Sequence, residues 1–166
     1  MNGHKKVNVK IIVDEDLDPL TPFQQFVVDE FKHYKQLSLT ENPNNFIAPN
    51  EGIQAKRPSI HNLYGRDRVF DYPTKWAARI VKENLTHVHF DSEEQWDKNE
   101  PQWECTSKEA VVYSGFLMPD GTYHFVIHDL LLATDEEDFD AHDYYQEEDL
   151  KYYLDNSEYH RKKIQK

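Results

Sequence analysis

Residues able to handle a phosphodiester gather in one stretch of this chain. Tyr64-Gly-Arg-Asp67 places a guanidinium beside a carboxylate, and His87 and His89 lie two residues apart. An arginine fork can grip a phosphate through two parallel hydrogen bonds. Imidazole titrates near neutrality and can serve as the general acid or base that cleavage by an RNA 2′-hydroxyl requires. Blander readings stand beside these. Arg66 and Asp67 can form a loop-surface pair of little consequence, and the two histidines can be half-buried rings donating to backbone carbonyls. An H-x-H pair can also ligate zinc with Cys105, His124 or His128, but no compact Cys/His spacing supports that.

The charge map favours an anionic partner. From Lys56 to Lys82 the chain carries Lys56, Arg57, Arg66, Arg68, Lys75, Arg79 and Lys82 against only Asp67 and Asp71, a local charge of +5 in a protein of −12. Nucleic acid is the commonest large anion to meet such a patch. Lys56, Arg57, Arg68, Lys75, Trp76, Arg79 and Lys82 are therefore candidate RNA contacts. Tyr64, Phe70, Tyr72 and Trp76 interleave with the cations and can stack on unpaired bases, although core packing is the ordinary use of such rings. Residues 129–158 hold twelve carboxylates and one cation, so they carry −11 and the remainder is near neutral. Screening confines exposed charges to roughly 8 Å at physiological salt, so overall acidity does not cancel the basic segment. The run Asp135-Glu-Glu-Asp138 lacks calcium-loop spacing and a turn glycine, and reads as solvated linker.

These residues need elements to position them. Val7–Val13 reads as a strand. Thr21-Pro-Phe starts a helix, with Thr21 as N-cap and apolar residues at helical spacing from Phe23 to about Leu37. Residues 38–60, rich in Pro and Asn, read as a long loop, either functional or a surface insertion. In the candidate site, Gly65 suggests a tight turn that fixes the directions of Arg66 and Asp67. Residues 73–85 are compatible with helix or strand. His87–Phe90 alternates as a strand, which puts both histidines on one face. Ala110–Phe116 and Thr122–His128 flank Pro119-Asp-Gly121, a hairpin signal. An acidic linker over 129–140 precedes a helix from about Ala141, acidic early and basic late, which suits its dipole. The order gives an α+β fold: an antiparallel sheet packed with N-terminal and C-terminal helices.

The 166 residues suit one domain, 1–166, with aromatic side chains supplying much of the core. A single cysteine excludes an intramolecular disulfide and fits a reducing compartment. No apolar run approaches a membrane span, and the N-terminus lacks a signal-peptide pattern, so a cytoplasmic protein with no membrane partner is expected.

Four blocks in order resemble the YafO family of bacterial type II toxins, ribosome-dependent mRNA interferases grouped broadly with RelE-like toxins. Tyr64-Gly-Arg-Asp67, followed by an aromatic and Pro73, is similar to the family's F-G-R-D region. Leu85-Thr-His-Val-His-Phe90 is similar to its H-I-H-L strand. Cys105-Thr-Ser-Lys-Glu-Ala-Val-Val-Tyr113 resembles its R-T-S/N-D-x-A-L-V-Y segment, with Cys105 in place of the family's Arg. Asp140-Ala-His142 resembles the Pro/Ala-His that opens its last helix. The resemblance implies a RelE-like fold, an endoribonuclease acting on mRNA at the ribosome without metal or cofactor, and a cognate antitoxin partner. It carries Arg66, Asp67, His87, His89, Tyr113 and His142 over as catalytic residues: Arg66 for the phosphate, a histidine for proton transfer, and Asp67 to orient a partner. The competing reading is a noncatalytic, acidic protein-binding regulator encoded by a mobile element.

Overall fold

A computed structural model describes residues 7–133 and 138–165. Five strands form one sheet: β1 (Val9–Val13), β2 (Tyr64–Val69), β3 (Thr86–Phe90), β4 (Glu109–Leu117) and β5 (Tyr123–Leu131), in the order β1-β5-β4-β3-β2. All pairings are antiparallel except β1 with β5, which is parallel. The expected hairpin joins β4 to β5. Gly121 adopts φ +86 there, and the Asp120 carboxylate accepts the Thr122 N–H at 2.9 Å.

The sheet is covered on both faces, so central β4 is buried along nearly its whole length, with Ala110–Tyr113 a continuous apolar run. On one face lies α1 (Pro22–Glu41), opened by a capping box between Thr21 and Gln24. Its Val27, Val28, Phe31, Tyr34 and Leu39 pack on Tyr64, Val88, Phe90, Val111, Tyr113 and Phe125. On the other face lie α3 (Ala77–Glu83) and α4 (Glu147–Ile164). Ile80, Leu150, Tyr153 and Leu154 pack there against Phe70, Leu85, Ala110, Val112 and Leu131.

Several boundaries differ from the sequence reading. Residues 38–60 are not one loop: α1 continues to Glu41, and α2 (Glu51–Lys56) follows a 3-10 turn at Pro43–Asn45. Asn50 caps α2 by accepting the Gly52 N–H at 2.7 Å, which is how an Asn-rich stretch comes to hold a helix. Residues 73–85 resolve as a 3-10 turn and α3, stopped by Asn84 in the left-handed conformation. Asp129–Leu131 complete β5 instead of opening the acidic linker. Within that linker, residues 134–137 lie outside the described residues. Before α4 comes a 3-10 turn at Ala141–Tyr144, docked by the Ala141 N–H on the Lys108 carbonyl at 2.8 Å. No helix among the described residues is long and apolar enough to cross a membrane.

Candidate active site

Gly65 is not at a turn. It sits within β2, where a register shift separates Tyr64 from Asp67. A Cβ on Gly65 would fall 2.2 Å from the Cys105 carbonyl oxygen and 2.7 Å from the Trp96 ring. Glycine is needed here for close backbone approach. That approach lets the Arg66 N–H donate to the Cys105 carbonyl at 2.8 Å, which fastens the 3-10 turn Gln102–Glu104 and its sequel along β2.

The irregularity falls at Gly65 and Arg66, and beyond it the Arg66 and Asp67 side chains part. Asp67 faces α1 and is fully enclosed. It accepts the Tyr34 and Tyr113 hydroxyls at 2.7 Å each, with the Lys35 ammonium 3.4 Å away. Lys35 also donates to the Tyr113 hydroxyl and the Ile47 carbonyl, both at 2.7 Å. Gln54 braces the Asp67 backbone, donating to its carbonyl at 2.8 Å and accepting its N–H at 3.0 Å. Burial raises the Asp67 carboxyl pKa, opposed by Lys35 and the two hydroxyls, and burial lowers the Lys35 pKa. The expected catalytic pair Asp67 and Tyr113 thus lies beneath α1, on the opposite face of the sheet from His87. The Arg66 guanidinium lies on Trp103 while the Asp67 carboxylate is enclosed by Tyr34, Lys35 and Tyr113, so the two side chains occupy separate environments.

The other face collects Arg68, His87, His89 and His142, with Arg66 close enough to repel protons from both strand histidines. His87 pairs across the ladder with Arg68 and lies between Phe70 and Tyr145, with centroids 4.3 and 5.1 Å away. Its ring centroid is 6.2 Å from that of His89, which is 6.4 Å from that of His142. Burial, then His89 and Arg68, push the His87 pKa down to about 3; burial, with Arg66 and His142 adding to it, pushes His89 down to about 4. Both rings are neutral at pH 7. His89 Nδ1 lies 3.0 Å from the Ser107 N–H and 2.9 Å from the Ser107 carbonyl. The neutral ring can accept from the first and the protonated ring can donate to the second, so either state is served. His142 is exposed, and its Nδ1–H donates to Asp140 at 2.9 Å. His87 Nδ1 and the Tyr145 hydroxyl are buried with no hydrogen-bond partner among the described residues.

Arg66 is held differently from the other cations. Its Nε donates to the Trp103 carbonyl at 2.6 Å, and its guanidinium lies 4.5 Å above the Trp103 ring. Both terminal amino groups are thereby left for a ligand, and no carboxylate pairs with it among the described residues. Most of the basic segment is neutralised instead. Arg57 pairs with Glu41 at 2.6 Å, Arg68 with Asp71 at 2.7 Å, Lys75 with Glu147, and Arg79 with Asp155 and Glu158 at 3.0 and 3.7 Å. Trp76 sits between Lys75 and Arg79, with their charged groups 5.3 and 5.6 Å from its ring. Lys56 and Lys82 are exposed.

Sequence reasoning passed over Tyr145 and Trp103, and gave Ser107, inside the Cys105-Thr-Ser block, no role. Trp103 lies two residues before that block; Tyr145 comes three residues after His142, at the end of the same short turn. Scanning those flanks for aromatics would have found the two rings. The zinc alternative does not assemble. His128 bonds Ser114 at 2.8 Å and Asn156 at 2.8 Å, while Cys105 is buried with its thiol pushed up to about 11. The only His/Cys/Asp/Glu group of metal-binding geometry among the described residues is Glu30, His33 and His61, on the α1 side.

One five-stranded sheet between an N-terminal helix and a C-terminal helical layer, with cations and histidines on the ladder of its last two strands, defines an α+β domain of the RelE-like kind. The family model described as "Toxin YafO, type II toxin-antitoxin system" matches residues 32–158, and the chain belongs to that family. Membership implies an antitoxin as partner. No match was found among curated proteins or among solved structures.

Proposed function

We propose that the protein is an endoribonuclease that cleaves mRNA on the ribosome and thereby stops translation. The observation that carries this reading is the placement of His87 and His89 on one sheet face with Arg66 near enough to repel protons from both, Arg66 having no acid partner among the described residues and both imidazoles being neutral. In the proposed reaction a strand histidine, neutral and so able to accept, takes the proton of the 2′-hydroxyl. The 2′-oxygen attacks the adjacent phosphorus, the bond from phosphorus to the 5′-oxygen breaks, and a 2′,3′-cyclic phosphate forms. The departing 5′-oxygen takes a proton from a second imidazole, with His142 the exposed member and Asp140 orienting it. Arg66 stabilises charge on the phosphoryl oxygens. A bound phosphate also offsets the repulsion from Arg66 and Arg68 and raises the histidine pKa values towards the working pH. The nucleophile belongs to the RNA, so no metal or cofactor is required. Asp67 and Tyr113 act from behind, by fixing β2 and β4. Family membership adds a toxin of a type II toxin-antitoxin system; presentation of the mRNA by the ribosome is part of the proposal.

Expression in a bacterial host, with and without the adjacent gene, tests the reading. Wild type should arrest growth and fragment mRNA, and Arg66→Ala and His89→Ala should do neither. Arrest by both variants at wild-type strength would leave the reading without support.

A further inference from the structure

Glu30 and His33 lie three residues apart on α1, one above the other on the same helical face. The turn that leads into β2 brings His61 up to them. Glu30 Oε2 is 3.9 Å from His33 Nδ1, and Glu30 Oε1 is 3.8 Å from His61 Nε2. The three ligand atoms all lie within 4.8 Å of one another. Around a tetrahedral zinc with bonds of about 2.0–2.1 Å, neighbouring ligand atoms stand roughly 3.3 Å apart, so closure needs only small rotations of side chains already in place. His61 is buried against Tyr64, Glu30 is half-buried and His33 is exposed. The cluster therefore has a fixed floor and an open entry. Two imidazoles and one carboxylate form a donor set suited to a borderline divalent metal, with a fourth position left for water.

We propose that Glu30, His33 and His61 bind one zinc ion, outside the RNA-cleaving face and independent of it. Zinc would clip α1 to the turn preceding β2, the strand that carries Arg66. Without metal, the Leu63 N–H donates to His61 Nδ1 at 3.1 Å, so the neutral ring carries its proton on Nε2, on the Glu30 side. Zinc takes the place of that proton. Ligation therefore moves the ring proton to Nδ1 and turns the Leu63 amide away from it, a change specific to this site.

The test titrates zinc into chelator-treated, full-length protein and follows stoichiometry, thermal midpoint and the Leu63 amide resonance. One equivalent should bind, raise the midpoint and shift that resonance. The His33 side chain is 57% exposed, so His33→Ala should fold normally and still lose affinity by about tenfold or more, with Glu30→Gln alike. A combined His89→Ala and His142→Ala variant should bind zinc as wild type does. Failure of wild type to bind one equivalent would overturn the site. So would unchanged affinity in His33→Ala and Glu30→Gln, or loss confined to the His89/His142 variant.

Discussion

Arg57, Arg68, Lys75 and Arg79 are tied to carboxylates, whereas Arg66 is tied to a backbone carbonyl and an indole face. That difference, more than the number of cations, is why Arg66 is the proposed phosphate ligand. Arg66→Lys keeps the charge but loses the fork and the bond to Trp103, so single-turnover RNA cleavage should fall by roughly 10²–10³ while the denaturation midpoint barely moves. The histidines make a prediction of opposite kind. His87, His89 and His128 have folded pKa values of about 3, 4 and 3, below the ordinary 6.5. The unfolded chain binds protons at these positions first, so their contribution is complete above about pH 6.5 and is lost as pH falls towards 3–4. His128→Gln, which deletes one such group, should flatten the stability decline over that window in denaturant titrations. An unchanged slope would contradict the burial argument. The side-chain types at Arg66, His87 and His89 were legible in the sequence. The separation of Asp67 and Tyr113 from them was not, because Gly65 suits both a turn and a close backbone approach, and only the Cys105 carbonyl beside it decides between them.

At the scale of elements, the Tyr34–Lys35–Asp67–Tyr113 network joins α1 to β2 and β4. Asp67→Ala leaves the Lys35 ammonium buried without its counter-charge and should cost about 3–5 kcal/mol, read as a lower denaturant midpoint at unchanged m-value. Protein that remains folded should retain cleavage, which separates a support from a participant. Gly65→Ala meets the Cys105 carbonyl and should cost about 1–3 kcal/mol by forcing that segment off β2. The capped helix from Thr21, the H-x-H strand and the Pro-Asp-Gly hairpin were readable because each rests on local chemistry. The helix Ala77–Glu83 was not, since seven residues give two turns and the decisive stop is a left-handed Asn84. The parallel pairing of β1 with β5 is a long-range choice that no local pattern records.

For the whole molecule, the acidic segment and the basic segment meet. Carboxylates of α4 neutralise Lys75 and Arg79, so much of the sequence's +5 island is spent within the fold. Combining Glu147→Gln with Asp155→Asn and Glu158→Gln should tighten RNA binding and steepen its salt dependence by about 0.7 in log–log slope per freed cation. The family match spans residues 32–158, beyond the four blocks, which run from Tyr64 to His142, and it starts within α1, leaving β1 outside. The central claim is that Arg66 and the strand histidines cleave RNA by internal attack of the 2′-hydroxyl. The most direct measurement maps the RNA ends that the purified protein leaves on ribosome-bound mRNA in the presence of a chelator. The account predicts a 2′,3′-cyclic phosphate facing a 5′-hydroxyl, absent with Arg66→Ala and His89→Ala. A 5′-phosphate product, or undiminished cleavage by both variants, would contradict it.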